Sequence, residues 1–265
     1  MADESRSLVH FDKDGHVAVL TLDAPPANTY SHEMMLELDA AILRARFDTD
    51  VQVIVLIGQG DKFFCAGADI GMLQAADPTF KYYFCLHANE TLSRLEQTPK
   101  LVIAALNGHT VGGGLEVALA ADLRVARKDC GKFGLPEVAL GVLPGTGGTQ
   151  RLARLLGKSK AIELMVTGET FGTDRALELG LVNQVFEADD FRTRAIEYAA
   201  SFTTPGKASM AVGHIKRSVQ TGAELSLEAG LALERELQAR LFDSADASEG
   251  IRAYNERREA EFGGS

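Results

Sequence analysis

No run of apolar residues in the 265-residue chain approaches the length needed to span a bilayer. The first ten residues are charged and lack the apolar core of a signal peptide. Both absences predict a soluble, cytoplasmic protein with no membrane partner. Cysteine is scarce: Cys65, Cys85 and Cys130 are far apart, form no CxxC pair and leave one thiol over in any disulfide scheme. They read as reduced thiols, with no metal site. No basic run offsets the net charge of -10, which argues against a nucleic-acid partner. No Pro/Ser-rich linker, low-complexity tract or fixed-period repeat is visible, so one domain with an extension fits better than two.

Several catalytic signatures are missing too. Gly157-Lys158-Ser159 is not a phosphate loop, because Leu152 stands where the upstream glycine belongs, and no segment completes GxGxxG. There is no GxSxG nucleophile elbow, HExxH helix or Cys/His ligand grouping. Nucleotide, covalent-serine and zinc chemistry therefore have no sequence support.

The content that is present is 46% hydrophobic, enough for a sizeable core. Alternating Val17, Val19 and Thr21 after Lys13-Asp14-Gly15 predict a hairpin over 9–22, ended by Pro25 and Pro26. Ser31 is placed to cap a helix carrying Met34, Met35, Leu38, Ile42 and Ala45 at helical spacing. The runs 51–58 and 101–108 are uninterruptedly apolar, as in strands buried on both faces. Each leads into a small-residue loop, 63–69 and 109–114; the second opens a helix over 115–121, and 123–126 returns as a strand. From 149 onward helical patterns dominate (150–156, 159–167, 173–179, 190–202, 209–221, 226–242), with one strand near 181–186. The fold class is α/β, with ligand loops at strand ends and a helical C-terminal part.

Three glycine-rich cradles remain: 66–69, 112–116 and 144–151. In the second, Gly112, Gly113 and Gly114 precede a helix with Glu116 in its first turn. Such a backbone can approach a ligand closely and aim free N–H groups at a developing oxyanion. A second N–H from the Ala68 loop would complete a two-donor hole, in which one donor is worth roughly 3–4 kcal/mol of barrier. The plainer alternatives stand beside this: glycines that only permit tight turns, Glu116 as a helix-dipole partner, and Glu137 as a surface turn residue.

At these residues the chain resembles the crotonase, or enoyl-coenzyme A hydratase/isomerase, superfamily, most closely its two-glutamate hydratases. The likeness rests on PPAN at 25–28, FCAGADI at 64–70, NGHTVGGGLE at 107–116, FGLPEVALGVLPGTGGTQRL at 133–152, TGE at 167–169 and EGIRAYNERR at 249–258. The resemblance implies a crotonase-like spiral of β-β-α units over 1–200 and a helical oligomerisation region over 201–265, assembling a homotrimer or a hexamer. It implies Glu116 and Glu137 as the acid-base pair and the amides of Ala68 and Gly113 as the oxyanion hole. Coenzyme A neighbours would be Ala27, Ala66, Ala68, Asp69, Ile70 and Gly113, with Tyr254 and Arg257 near the adenine and phosphates. The implied reaction is reversible addition of water to a 2-enoyl-CoA thioester, with no cofactor beyond the coenzyme A of the substrate. Isomerisation, thioester hydrolysis or decarboxylation on the same fold, and a non-catalytic acyl-CoA-binding subunit, are the alternatives. Two departures stand out. Tyr30 replaces a small aliphatic residue, where it would reshape the acyl or pantetheine pocket. The segment between the glutamates is about one residue longer than in familiar hydratases, and the surplus fits the turn at 128–131.

Overall fold

The VAVLTL and VIVLIG runs form strands because branched apolar side chains on both faces leave neither face for water. The computed structural model describes residues 6–265. β1 (Val9–Asp14) and β2 (Val17–Leu22) make the expected antiparallel hairpin. α1 (His32–Phe47) starts where Ser31 Oγ accepts the Met34 N–H at 3.3 Å. The chain then runs β3 (Val53–Gly58), β4 (Phe63–Cys65), α2 (Ile70–Ala75), α3 (Pro78–Glu96), β5 (Leu101–Leu106), β6 (His109–Val111), α4 (Gly113–Leu119), β7 (Leu123–Arg127) and β8 (Phe133–Gly134). A 3₁₀ turn (Glu137–Leu140) leads to α5 (Gly148–Leu156), α6 (Lys158–Thr167), α7 (Thr173–Glu178), β9 (Gln184–Phe186), α8 (Phe191–Ala200), α9 (Ser209–Gly222), α10 (Leu227–Phe242) and α11 (Ala245–Glu256).

Two sheets result. The larger has the order β1-β2-β3-β5-β7-β9, parallel from β2 onward; the smaller is the parallel set β4-β6-β8. Successive passes lay one strand in the large sheet and the next in the small one before a helical segment: β3-β4-α2, β5-β6-α4, then β7-β8 and the 3₁₀ turn. This is the spiral of β-β-α units expected above. The loops read at 63–69 and 109–114 are corrected in part: each contains a short strand, and these pair in parallel through Phe63↔His109 and Cys65↔Thr110. The helix expected over 115–121 begins at Gly113, and the turn at 128–131 exists, with Asp129 in the left-handed region.

Period-two alternation decides which face each strand residue serves. Ile54, Leu56, Val102, Ala104 and Leu106 join α1, α3 and α4 in the main core, while Val53, Val55, Ile57, Ile103 and Ala105 meet Phe191, Ala195 and Ala199 of α8. α9 is fastened to this body by Lys216, whose Nζ lies 2.8 Å from an Asp122 carboxylate oxygen and 2.9 Å from the Lys100 carbonyl.

Asn107 sets the mouth of the sheet. Its Oδ1 accepts the Gly58 N–H at 3.0 Å and its Nδ2 donates to the Gly58 carbonyl at 2.9 Å and to that of Gly60, locking the ends of β3 and β5 together. Asn107→Ala leaves buried backbone groups of Gly58 unpaired, and is expected to cost about 1–3 kcal/mol in chemical denaturation. Wild-type stability in that variant would show that the clamp is unimportant.

Candidate active site

The site is assembled where β4 and β6 hand over to α2 and α4. Gly112 precedes α4 with φ 56° and ψ −137°, a conformation open to glycine, and offers no side-chain cap to the helix behind it. The Gly113 N–H, first in the helix, is left facing outward. On the neighbouring loop Tyr30 bridges Ala68 in parallel: the Tyr30 N–H donates to Gly67 O at 2.9 Å, and Tyr30 O accepts the Asp69 N–H at 3.0 Å. Such a bridge engages the residues on either side of 68 and turns the Ala68 N–H the other way. The two loops touch, since a Cβ on Gly67 would lie 3.1 Å from the Gly113 nitrogen.

Glu116 is 2% exposed and projects from the first turn of α4 into the segment 146–148. Its Oε1 accepts the Thr146 N–H at 2.8 Å and the Gly148 N–H at 2.7 Å, and its Oε2 accepts the Thr146 hydroxyl. Burial pushes its pKa up, and these three donors, led by the Thr146 hydroxyl, pull against that by stabilising the carboxylate. The third glycine-rich segment, read as a ligand cradle, is thus a cradle for a side chain of the protein itself. Thr146 and Gly148 lie in the glycine-rich segment 144–151, but nothing in the sequence marks them as partners of Glu116.

Glu137 opens the 3₁₀ turn after β8. Its Oε1 sits 3.1 Å from where a Cβ on Gly112 would be, and its Oε2 is buried without a protein partner. Burial, with the Glu116 charge adding to it, lifts the Glu137 carboxyl from 4.5 to about 7. A carboxylate held by three donors and a carboxyl lifted to about 7 that feels its charge give this region one group able to accept a proton and one able to hold one near neutrality.

The remaining candidates divide. The Ala27 carbonyl accepts the Ala66 N–H at 3.1 Å, so these two stand beside the same loop. The Asp69 side chain caps α2 by accepting the Met72 N–H at 2.7 Å, and Ile70 begins that helix with its side chain exposed. Tyr254 and Arg257 are elsewhere on the chain, near the end of α11. Tyr254 is 84% exposed, Arg257 ends the helix in a left-handed conformation, and no hydrogen bond ties either side chain to the loops of Ala68 or Gly113. Tyr30 is a buried core residue stacked on Phe84 at 5.8 Å.

Comparison with known proteins bears on the family of the chain. The family model described as enoyl-CoA hydratase/isomerase matches residues 12–265. A short-chain enoyl-CoA hydratase of Clostridium acetobutylicum is 37% identical over 96% of this chain and 96% of its own length. A crotonyl-CoA hydratase of Syntrophomonas wolfei is 34% identical, covering 95% and 96%. The crystal structure of an enoyl-CoA hydratase from Geobacillus kaustophilus superposes with a TM-score of 0.95 at 46% identity, covering 98% of both chains. With its motifs in order along two spiral sheets and a match to nearly its whole length, this chain belongs to the enoyl-CoA hydratase/isomerase family.

Proposed function

We propose that the protein hydrates 2-enoyl-CoA thioesters reversibly to 3-hydroxyacyl-CoA. The observation that carries the proposal is a cradled carboxylate, Glu116, whose charge is felt by a carboxyl lifted to about 7, Glu137, in a region where the loops carrying Ala68 and Gly113 touch. The thioester oxygen receives hydrogen bonds from both amides, which stabilise the charge it gains as C3 is attacked. Glu116 takes a proton from water as the oxygen bonds to C3. The electrons of the double bond move toward the thioester, and Glu137 delivers its proton to C2, restoring the carbonyl. Afterwards Glu116 holds a proton and Glu137 is ionised; exchange with solvent resets both.

Ala27, Ala66, Asp69 and Ile70 border the loop that would hold the pantetheine arm. Tyr254 and Arg257 lie on the exposed surface of α11, so their proposed role at the adenine and phosphates is the more distant one. The helices over 201–265 are proposed to build a homotrimer or a dimer of trimers. In support, Ile215 and Val219 on α9 and Leu227 and Leu231 on α10 are apolar and exposed. A mass of three or six chains in light scattering is expected; a single chain mass removes this part. Among the described residues no helix is long and apolar enough to cross a membrane. A cytoplasmic location is proposed from the sequence alone.

The test is incubation with straight and branched 2-enoyl-CoA thioesters while following loss of the conjugated enoyl chromophore. Loss with formation of 3-hydroxyacyl-CoA is expected. A flat signal across the panel overturns hydration; release of free thiol would instead reveal a hydrolase, and growth of the chromophore from a 3-enoyl thioester an isomerase.

A further inference from the structure

Tyr30 is buried between the segment that cradles Glu116 and the start of α4 at Gly113. Its backbone is fixed by the bridge to Gly67 and Asp69, which sends the ring into the core against Phe84. The phenol oxygen lies 3.2 Å from Thr146 Oγ1, whose own proton is directed to Glu116 Oε2. It also abuts the hole, since a Cβ on Gly113 would come within 2.1 Å of it.

The proton count sets the direction of the chain. An ionised carboxylate can only accept, so the single Thr146 proton goes to Glu116, and Tyr30 must then be the donor to Thr146. We infer that Tyr30 is a positioning residue: its phenol donates to the Thr146 hydroxyl, so that a two-hydroxyl relay holds and polarises the bond to Glu116 while the ring fixes Gly113 from behind. Each donor in such a chain strengthens the next. Burial, with the Glu116 charge next, holds the phenol pKa well above its ordinary value, so Tyr30 remains a neutral donor across the working range.

Other groups near Glu116 could mimic this effect and must be accounted for. Arg151 on α5 favours the ionised form and is held by Glu96 at 2.9 Å, while Glu137 on the 3₁₀ turn feels its charge. Cys65 on β4, whose thiol burial pushes up to about 12, and Cys85 on α3, raised by burial and then by the Glu116 charge, stay neutral. None of these contacts is altered by removing the phenol oxygen.

This inference rests on the hydratase reading, and the test separates the two. In Tyr30→Phe, kcat with a 2-enoyl-CoA substrate is expected to fall about 3- to 10-fold with KM changed less than about twofold, the scale of one hydrogen bond. The acidic limb of the pH profile should move to higher pH, because the ionised form of Glu116 has lost support. Added to Thr146→Ala, the same change should do nothing more, and Thr146→Ser should move the limb less than Thr146→Ala. Carbon NMR of the Glu116 carboxyl, assigned by its loss in Glu116→Gln, should show the same upward shift in Tyr30→Phe whether or not the substrate panel is turned over. If Tyr30→Phe leaves that titration in place, or its effect multiplies with that of Thr146→Ala, the relay is refuted; if wild type turns over nothing, the hydratase reading fails instead.

Discussion

Glu137→Gln is expected to lower turnover of 2-enoyl-CoA by about 10²- to 10⁴-fold while leaving substrate binding nearly intact, the scale of a lost general acid. An amide of the same shape cannot deliver a proton to C2. In the proposed mechanism hydration requires Glu137 to be neutral, so the wild-type rate should decline as pH rises past about 7. Stability should move the same way. The folded chain keeps a proton on Glu137 between 4.5 and about 7 that the unfolded chain has released, so its stability falls as pH climbs through that window. Glutamine carries no such penalty. Glu137→Gln should therefore melt above wild type at pH 8, the gap closing toward pH 4.5. Glu116→Gln should cost turnover on the same scale, because an amide cannot accept the proton of water. A Glu137→Gln enzyme with ordinary turnover would end the assignment of the acid; one with lost turnover and a lower Tm at pH 8 would show that the carboxyl is not destabilised by burial.

Reading this chain without coordinates succeeds where burial writes a pattern. β3 and β5 are legible because both faces are covered, which forces an unbroken apolar run, and Ser31 is legible because a helix start needs an acceptor. β4, β6 and β8 are not: each spans two or three residues inside small-residue loops, too short for a period to register. The spiral hides for a related reason, since α2 and α3 lengthen one β-β-α unit and leave the passes unequal. At the candidate site, GGGLE marks Glu116 by its neighbours, but nothing along the chain says that Thr146, thirty residues away, closes on it. That contact is made by folding, and the glycine-rich composition of 144–151 signals only that a close approach occurs, not what approaches. Tyr30 is similar: its oddity is visible in the sequence, its partner is not.

Gly114→Ala tests the geometry from the side of the fold. A Cβ there would lie 2.0 Å from the carbonyl oxygen of Cys65 and 2.6 Å from its carbonyl carbon, both backbone atoms of β4. No rotamer change can relieve such an overlap, so either α4 retreats or β4 does, and β4 is held to β6 by the Cys65↔Thr110 pairing. Overpacking of this kind should cost about 3 kcal/mol or more. Either movement also separates the two amides, because Ala68 follows β4 by three residues and Gly113 opens α4. Turnover should therefore fall further than the folded fraction does, and the deficit should persist at temperatures where the variant is fully folded. Gly172→Ala is the matching control: its added carbon meets nothing within 4 Å and its backbone is extended, so stability should stay within about 0.5 kcal/mol of wild type. A Gly114→Ala protein with unchanged melting and full turnover would mean that β4 and α4 do not pack this closely, and the pairing of Ala68 with Gly113 would lose its foundation.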